Sequence, residues 1–179
     1  MKRFSLFDLV LMTMYGTLMF IFDIAFEMLP NIHGVALVIC VVTLIYRWRA
    51  LISIGLYVML NAIFAMATTI NALWWVPYIY IFPLLWLAVM LIPKKLSLKV
   101  KIVLSTIFAG LNGLAFGTLY APFQAVMFGL DFNGMLAWIV AGLPFDLIHM
   151  CGNIAMSSLI YPLYKVITKL EESRIKRQK

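Results

Sequence analysis

The chain is poor in the residues on which most soluble proteins and most enzymes depend. Of its 179 residues only seven are acidic, two are histidine and two are cysteine. Two histidines without a His-Glu-x-x-His run exclude the zinc-protease chemistry built on that motif. Cys40 and Cys151 both lie in apolar runs, where a thiol is a small packing group, so neither a structural disulfide nor a metal site is expected. A Gly-rich phosphate loop ending in Gly-Lys-Ser/Thr is missing, so ATP is not held by that device. No Asp-rich pair is present to grip a diphosphate-bound metal. Ser157 and Ser158 stand near His149, but no strand-turn-helix context makes either a nucleophile. The expectation is a protein that is not an enzyme and carries no cofactor.

Charge is scarce as well. Charged residues make up 12% of the chain against 65% hydrophobic, with a mean hydropathy of +1.03, which excludes a water-soluble domain. The polar segments are too short to form a second domain. One all-α transmembrane domain over residues 1–179 is the expectation. A net charge of +7 in a soluble protein would point to nucleic acid. Here the positive charge belongs to loops and a tail that face anionic lipid or a protein partner, and no nucleic-acid partner is implied.

What is there is ordered. All 14 basic residues fall into four clusters: Lys2/Arg3, Arg47/Arg49, Lys94/Lys95/Lys99/Lys101, and a tail from Lys165 through Lys169, Arg174, Lys176 and Arg177 to Lys179. Each interval between clusters is long enough for two crossings, and the turns within the intervals hold no Lys or Arg. Because cytoplasmic loops are enriched in both, the pattern predicts six helices in a compact bundle with both termini in the cytoplasm. The predicted spans are about 5–29, 34–46, 50–69, 73–92, 102–128 and 135–167, followed by a basic cytoplasmic tail over 168–179. The opening Met1-Lys2-Arg3 resembles a signal peptide, but the apolar run extends to Asp23 and Glu27, so a retained first helix is expected.

Two spans are irregular. The second, at about 20 Å, falls short of a hydrocarbon core of roughly 30 Å, so its outer end should be covered by polar protein surface or a dip of solvent. The sixth is too long for one straight crossing, and Pro144 and Pro162 are expected to break or kink it. Gly129 through Gly134, with Asp131 and Asn133, reads as a turn.

Polar residues gather on the side that lacks Lys and Arg. Asp23 and Glu27 are a helical turn apart; Asn31, His33 and Asn71 fall in outer loops. Asp146, His149 and Asn153 share one face of the sixth helix. These last three fit either a hydrogen-bonded network joining helices or a ligand-facing, gating group. Trp74, Trp75, Tyr78, Tyr80, Phe82 and Trp86 crowd the fourth span. They exceed what an interfacial belt needs and favour an apolar pocket with a few orienting polar groups. Ala109, Gly113 and Gly117 form a small-residue stripe, for packing within the bundle or docking onto another subunit, and Thr13, Gly16 and Thr17 a weaker one.

Together these features resemble the substrate-binding S component of an energy-coupling factor (ECF) transporter over nearly the whole chain. The segments that carry the resemblance are Leu29-Pro30-Asn31-Ile32-His33, Trp74-Trp75-Val76-Pro77-Tyr78 and Pro144-Phe145-Asp146-Leu147-Ile148-His149. The last is similar to the Pro-Phe-(Asn/Asp)-x-x-(Lys/His) stretch of several S components. The resemblance implies a multi-pass protein of a bacterial plasma membrane that binds a vitamin or related micronutrient at its outer face. Its partners would be a membrane scaffold (T) subunit and two cytoplasmic ATPases, with delivery by toppling of the small bundle. Trp74, Trp75, Tyr78 and Trp86 would stack on the ligand, Asn71, His33 and Asp146 would contact it, and His149 and Asn153 would stand behind them. Thr13, Gly16 and Thr17 occupy the place of the family's Ala-xxx-Ala docking stripe and depart from it. With no basic cluster outside, a multiply phosphorylated ligand is disfavoured; a cobalamin or its precursor ranks ahead of a small heteroaromatic vitamin. Two other classes stay open: an ion-coupled secondary transporter or channel using Asp146/His149 as a proton relay, and a membrane-integral enzyme acting on lipid through His149.

Overall fold

The computed structural model describes residues 5–26, 28, 32, 34–68 and 72–177. The regular elements among them are all helical: α1 (Leu6–Ala25), α2 (Val35–Tyr46), a 3-10 turn (Arg47–Arg49), α3 (Ala50–Thr68), α4 (Tyr78–Met90), α5 (Leu98–Leu114), α6 (Phe116–Phe128), α7 (Phe132–Ser157) and α8 (Ile160–Arg177). Four stretches, Leu6–Ala25, Val35–Thr68, Leu98–Phe128 and Phe132–Ser157, are long and apolar enough to cross a membrane. On that ground the chain is a multi-pass membrane protein.

Local chemistry sets the helix ends. Ser5 and Asp8 form a reciprocal capping box that opens α1. Ser97 caps α5, and the Asp131 carboxylate accepts the Gly134 N–H at 2.7 Å to start α7. Gly129, at φ 64°, closes α6 in the left-handed conformation that glycine adopts without a Cβ clash. The turn expected over 129–134 is thus short, and α7 begins at Phe132 inside it.

Contacts between helices fix their relative directions. Arg49 meets Asp8, the Ser53 hydroxyl donates to the Met12 carbonyl at 2.8 Å, and the Tyr57 hydroxyl donates to Asp23 at 2.7 Å, so α1 and α3 run in the same sense. Gly34, just before α2, abuts Phe22 near the far end of α1, so α2 runs the opposite way. Tyr78 stacks on Tyr57 while Trp86 reaches Arg47, which also sets α4 opposite to α3. The α5–α6 pair returns, and α7 lies antiparallel to it, with Asp146 beside Gly117 and Asn153 beside Ala109.

The short α2 is the centre of the molecule. Its residues Val35 through Thr43 are all buried, and it touches α1, α3, α4, α5, α7 and α8. The cover expected beyond its outer end falls on residues 29–31 and 33, which lie outside the described residues. A helix that is apolar all round is a core helix, and α2 is wrapped by protein rather than lipid. Its continuation into α3 is not a single rod, because Arg47 takes φ 59° and the chain reverses through the 3-10 turn.

The long sixth span breaks as expected, but ahead of only one of the two prolines. Pro144 lies inside an uninterrupted α7, and the break falls at Ser158–Leu159. Pro162 sits in the first turn of α8, where a helix leaves its N–H groups unbonded in any case. The tail over 168–179 is not free chain through its described part. α8 continues to Arg177, and Glu171 and Arg174 tie it back to the bundle. The fifth span breaks instead, at Ala115.

Candidate functional site

The break between α5 and α6 is the heart of the polar seam. In an unbroken helix the Gly117 N–H would bond to a carbonyl one turn back. Here it donates to Asp146 Oδ1 at 2.9 Å, across from α7. A side chain inserted into the backbone ladder is a recognised cause of a helix break. The fit is close: a Cβ on Gly117 would stand 2.5 Å from Asp146 Oδ2, so only glycine leaves room for the carboxylate. One turn further along α7, the His149 ring lies 4.8 Å, centroid to centroid, from that of Phe116. Asn153 Nδ2 donates to the Ala109 carbonyl at 3.0 Å. A Cβ on Gly113 would fall 2.9 Å from backbone atoms of His149 and Met150. Ala109, Gly113 and Gly117 therefore serve packing within the bundle.

The aromatic residues join this seam through Phe116. Its ring is 6.1 Å from Tyr78 and 5.9 Å from Tyr120. Tyr78 in turn is stacked against Tyr57 at 6.0 Å and set edge-on to Trp74 at 5.8 Å. The Tyr120 hydroxyl donates to the Trp74 carbonyl at 2.6 Å and its ring stacks on Trp138. Trp74 and Trp75 belong to the turns before α4, not to the helix itself. Trp74, Tyr78, His149 and Asp146 are thus brought to one end of the bundle as a connected group. Phe116, Tyr57, Tyr120 and Trp138 complete it, and sequence reading had not singled them out. The Phe116/Tyr120 spacing of one turn was the available signal.

Several buried polar atoms in this region lack a hydrogen-bond partner: Trp75 Nε1, Asp146 Oδ2 and Asn153 Oδ1. Buried donors and acceptors are nearly always satisfied, so these three, spread from the Trp75 end to mid-bundle, call for an explanation. So do Thr43 Oγ1, Ser105 Oγ, Arg47 Nε and Arg174 Nε elsewhere. At the Trp75 end Asp23 is held by Tyr57. Glu27, Asn31, His33 and Asn71 lie outside the described residues.

Trp86 requires a correction. Its indole N–H donates to the Arg47 carbonyl at 3.2 Å, at the opposite end from Trp74. Sharing a helix face with Trp75 says nothing about depth, and eleven residues advance about 16 Å along a helix. Trp86 is therefore remote from the ring cluster. Gly16 is corrected too: it packs against α3, where a Cβ would come within 2.6 Å of the Ser53 carbonyl oxygen and 2.9 Å of Leu56. That leaves Thr13 and Thr17 on the outside of α1, their hydroxyls bonded to carbonyls of their own helix.

The opposite end is built on charge. Asp8, which sequence reading passed over, accepts Arg49 at 3.1 Å and lies 3.9 Å from Arg174. Arg174 also pairs with Glu171 at 2.9 Å, and Glu171 accepts the Tyr46 hydroxyl at 3.0 Å. The Arg47, Arg49, Lys94, Lys101 and Arg174 side chains thus all lie at one end.

Comparison with protein-family models, with curated proteins and with solved structures finds no match to this chain.

Proposed function

We propose that the protein is the substrate-binding S component of an ECF-type importer in a bacterial plasma membrane. On this reading it crosses the bilayer six times with both termini in the cytoplasm. It binds a vitamin or related micronutrient, with a cobalamin-like compound ranked first, at the outer end. A scaffold subunit and two ATPases then drive delivery by toppling. The alternating helix directions and the gathering of basic side chains at one end support the orientation.

The observation that carries the proposal is the meeting of packed rings with buried, unpartnered polar atoms at the opposite end. Flat rings such as Trp74 and Tyr78 offer stacking area to a heteroaromatic ligand. The Trp75 indole N–H would donate to a ligand carbonyl or ring nitrogen, and Asp146 would accept from a ligand amide or amine. A ligand that satisfied these atoms would remove the cost of leaving them unpaired. Titration of the purified protein with a vitamin panel, read by tryptophan fluorescence, is the test. One compound should quench saturably, and a flat response to every compound would count against the proposal.

A second reading rests on Asp146 alone. A buried carboxylate beside a histidine inside a membrane protein is also what a proton-coupled transporter needs. Proteoliposomes separate the two. An S component binds ligand but moves none without its partners, whereas a secondary transporter moves it alone under a proton gradient.

A further inference from the structure

A cavity of about 270 Å³ opens at the basic end, between the end of α2 and the loop from α4 to α5. Its lining is Leu44, Ile45, Arg47, Lys94 and Lys101. Three cations and two aliphatic side chains surround it, with no carboxylate among them. Of the carboxylates at this end, Asp8 takes Arg49 and Arg174, Glu171 takes Arg174 and Tyr46, and Glu172 does not line the cavity. Three positive groups around one space repel each other unless an anion enters.

Two of the cations, Arg47 and Lys101, are also held in position. Arg47 adopts a positive φ of 59°, an unfavourable conformation for a residue with a Cβ, and persists there because its neighbours fix it. Its carbonyl accepts the Trp86 indole N–H, its backbone N–H bonds the Thr43 carbonyl, and its Nη2 donates to the Met90 carbonyl. The Nε–H, by contrast, is buried without a partner. Lys101 Nζ donates to the Lys94 carbonyl at 2.7 Å, which holds its ammonium at the loop and leaves further protons to donate. A guanidinium and two ammonium groups suit a phosphate oxygen cluster.

We propose that this cavity binds the phosphate headgroup of an anionic lipid, with Arg47, Lys94 and Lys101 as the recognising groups. The aliphatic wall of Leu44 and Ile45 is what singles out a lipid, because it would receive the glycerol and upper acyl carbons that a free ion lacks. The level of the site agrees, since it caps the cytoplasmic end of the bundle in the orientation proposed above, next to the anionic leaflet. The inference depends on that orientation and not on the identity of the imported ligand.

Native mass spectrometry of the full-length protein in detergent, titrated with phosphatidylglycerol or phosphatidylcholine, tests it. One saturable phosphatidylglycerol adduct is expected, with phosphatidylcholine binding far more weakly. Lys94→Ala combined with Lys101→Ala should weaken that adduct about tenfold, as loss of charge-assisted bonds implies. The control is Lys95→Ala combined with Lys99→Ala, which removes the same charge from exposed positions of the same segment and should leave the adduct intact. Equal weakening by both pairs would mean diffuse attraction and overturn the site. Displacement by inorganic phosphate would reassign it to a free ion. If the cavity pair spares the lipid adduct but abolishes capture of a scaffold–ATPase complex, the cavity serves a protein and the lipid assignment falls. Lys101→Arg, which keeps the charge, separates a folding defect from a binding one by retaining the adduct.

Discussion

The two ends of this bundle are built on opposite terms. At the basic end, charges are paired across the chain: Asp8 joins Arg49 and Arg174, and Glu171 joins Arg174 and Tyr46. Toward the aromatic end, rings pack against rings, and Trp75, Asp146 and Asn153 each bury a polar atom without a partner. The basic end uses most of its charge in contacts within the chain, with Arg47 Nε and Arg174 Nε left over. The aromatic end keeps its unused bonding capacity among packed rings, which suits recognition of a flat, partly polar molecule.

Substitutions can break that contrast. The largest effect should come from Asp8→Ala, which removes the reciprocal half of the α1 capping box, from Ser5 to the Asp8 carboxylate, and leaves two arginines facing a void. It should lower unfolding stability by about 2–4 kcal/mol without altering ligand affinity, as thermal unfolding in detergent beside a ligand titration would reveal. Gly113→Ala forces a methyl against the backbone of α7 and should cost about 1–3 kcal/mol in the same unfolding assay. Trp75→Phe reverses the pattern. It deletes an unpartnered donor, so stability should hold while affinity for the quenching compound falls about tenfold. Equal affinity in that variant would remove Trp75 from the site. Gly55→Ala, on an exposed face with nothing within 4 Å of the added carbon, should be neutral or stabilise by up to about 1 kcal/mol. A loss there would mean that α3 meets a partner in the membrane.

Much of the fold could be read from the chain, and the failures have definite physical causes. Apolar run lengths located most of the helices, because the bilayer demands long uninterrupted stretches. Among the described residues, Arg47, Arg49, Lys94, Lys101 and Arg174 from three of the basic clusters do meet at one end. Depth was not legible: periodicity assigns a helix face but not a level, so Trp86 was grouped with Trp74 and Trp75 although its indole bonds Arg47 at the other end. Helix breaks were legible only in part: the long last span does part ahead of Pro162. Pro144 leaves α7 continuous, whereas α5 and α6 part at Ala115, where the cause is a carboxylate on another helix. Asp8 escaped notice because its value depends on Arg49 and Arg174, distant residues that only the folded chain brings near. The Asp146/His149/Asn153 face was legible as a unit, since i, i+3 and i+4 spacing survives any tertiary arrangement.

The Asp8–Arg174 contact also bears on how the molecule is made. A ribosome delivers α1 to the membrane long before position 174 exists, and Arg49 is the earlier of the two cations to emerge. Until α8 is synthesised, Asp8 has half of its eventual company and the bundle has an open side. In the order of synthesis, closure of this end is therefore among the last contacts that can form. A nascent chain that lacks α8 would leave Asp8 with Arg49 alone and α2 without one of its six helical neighbours.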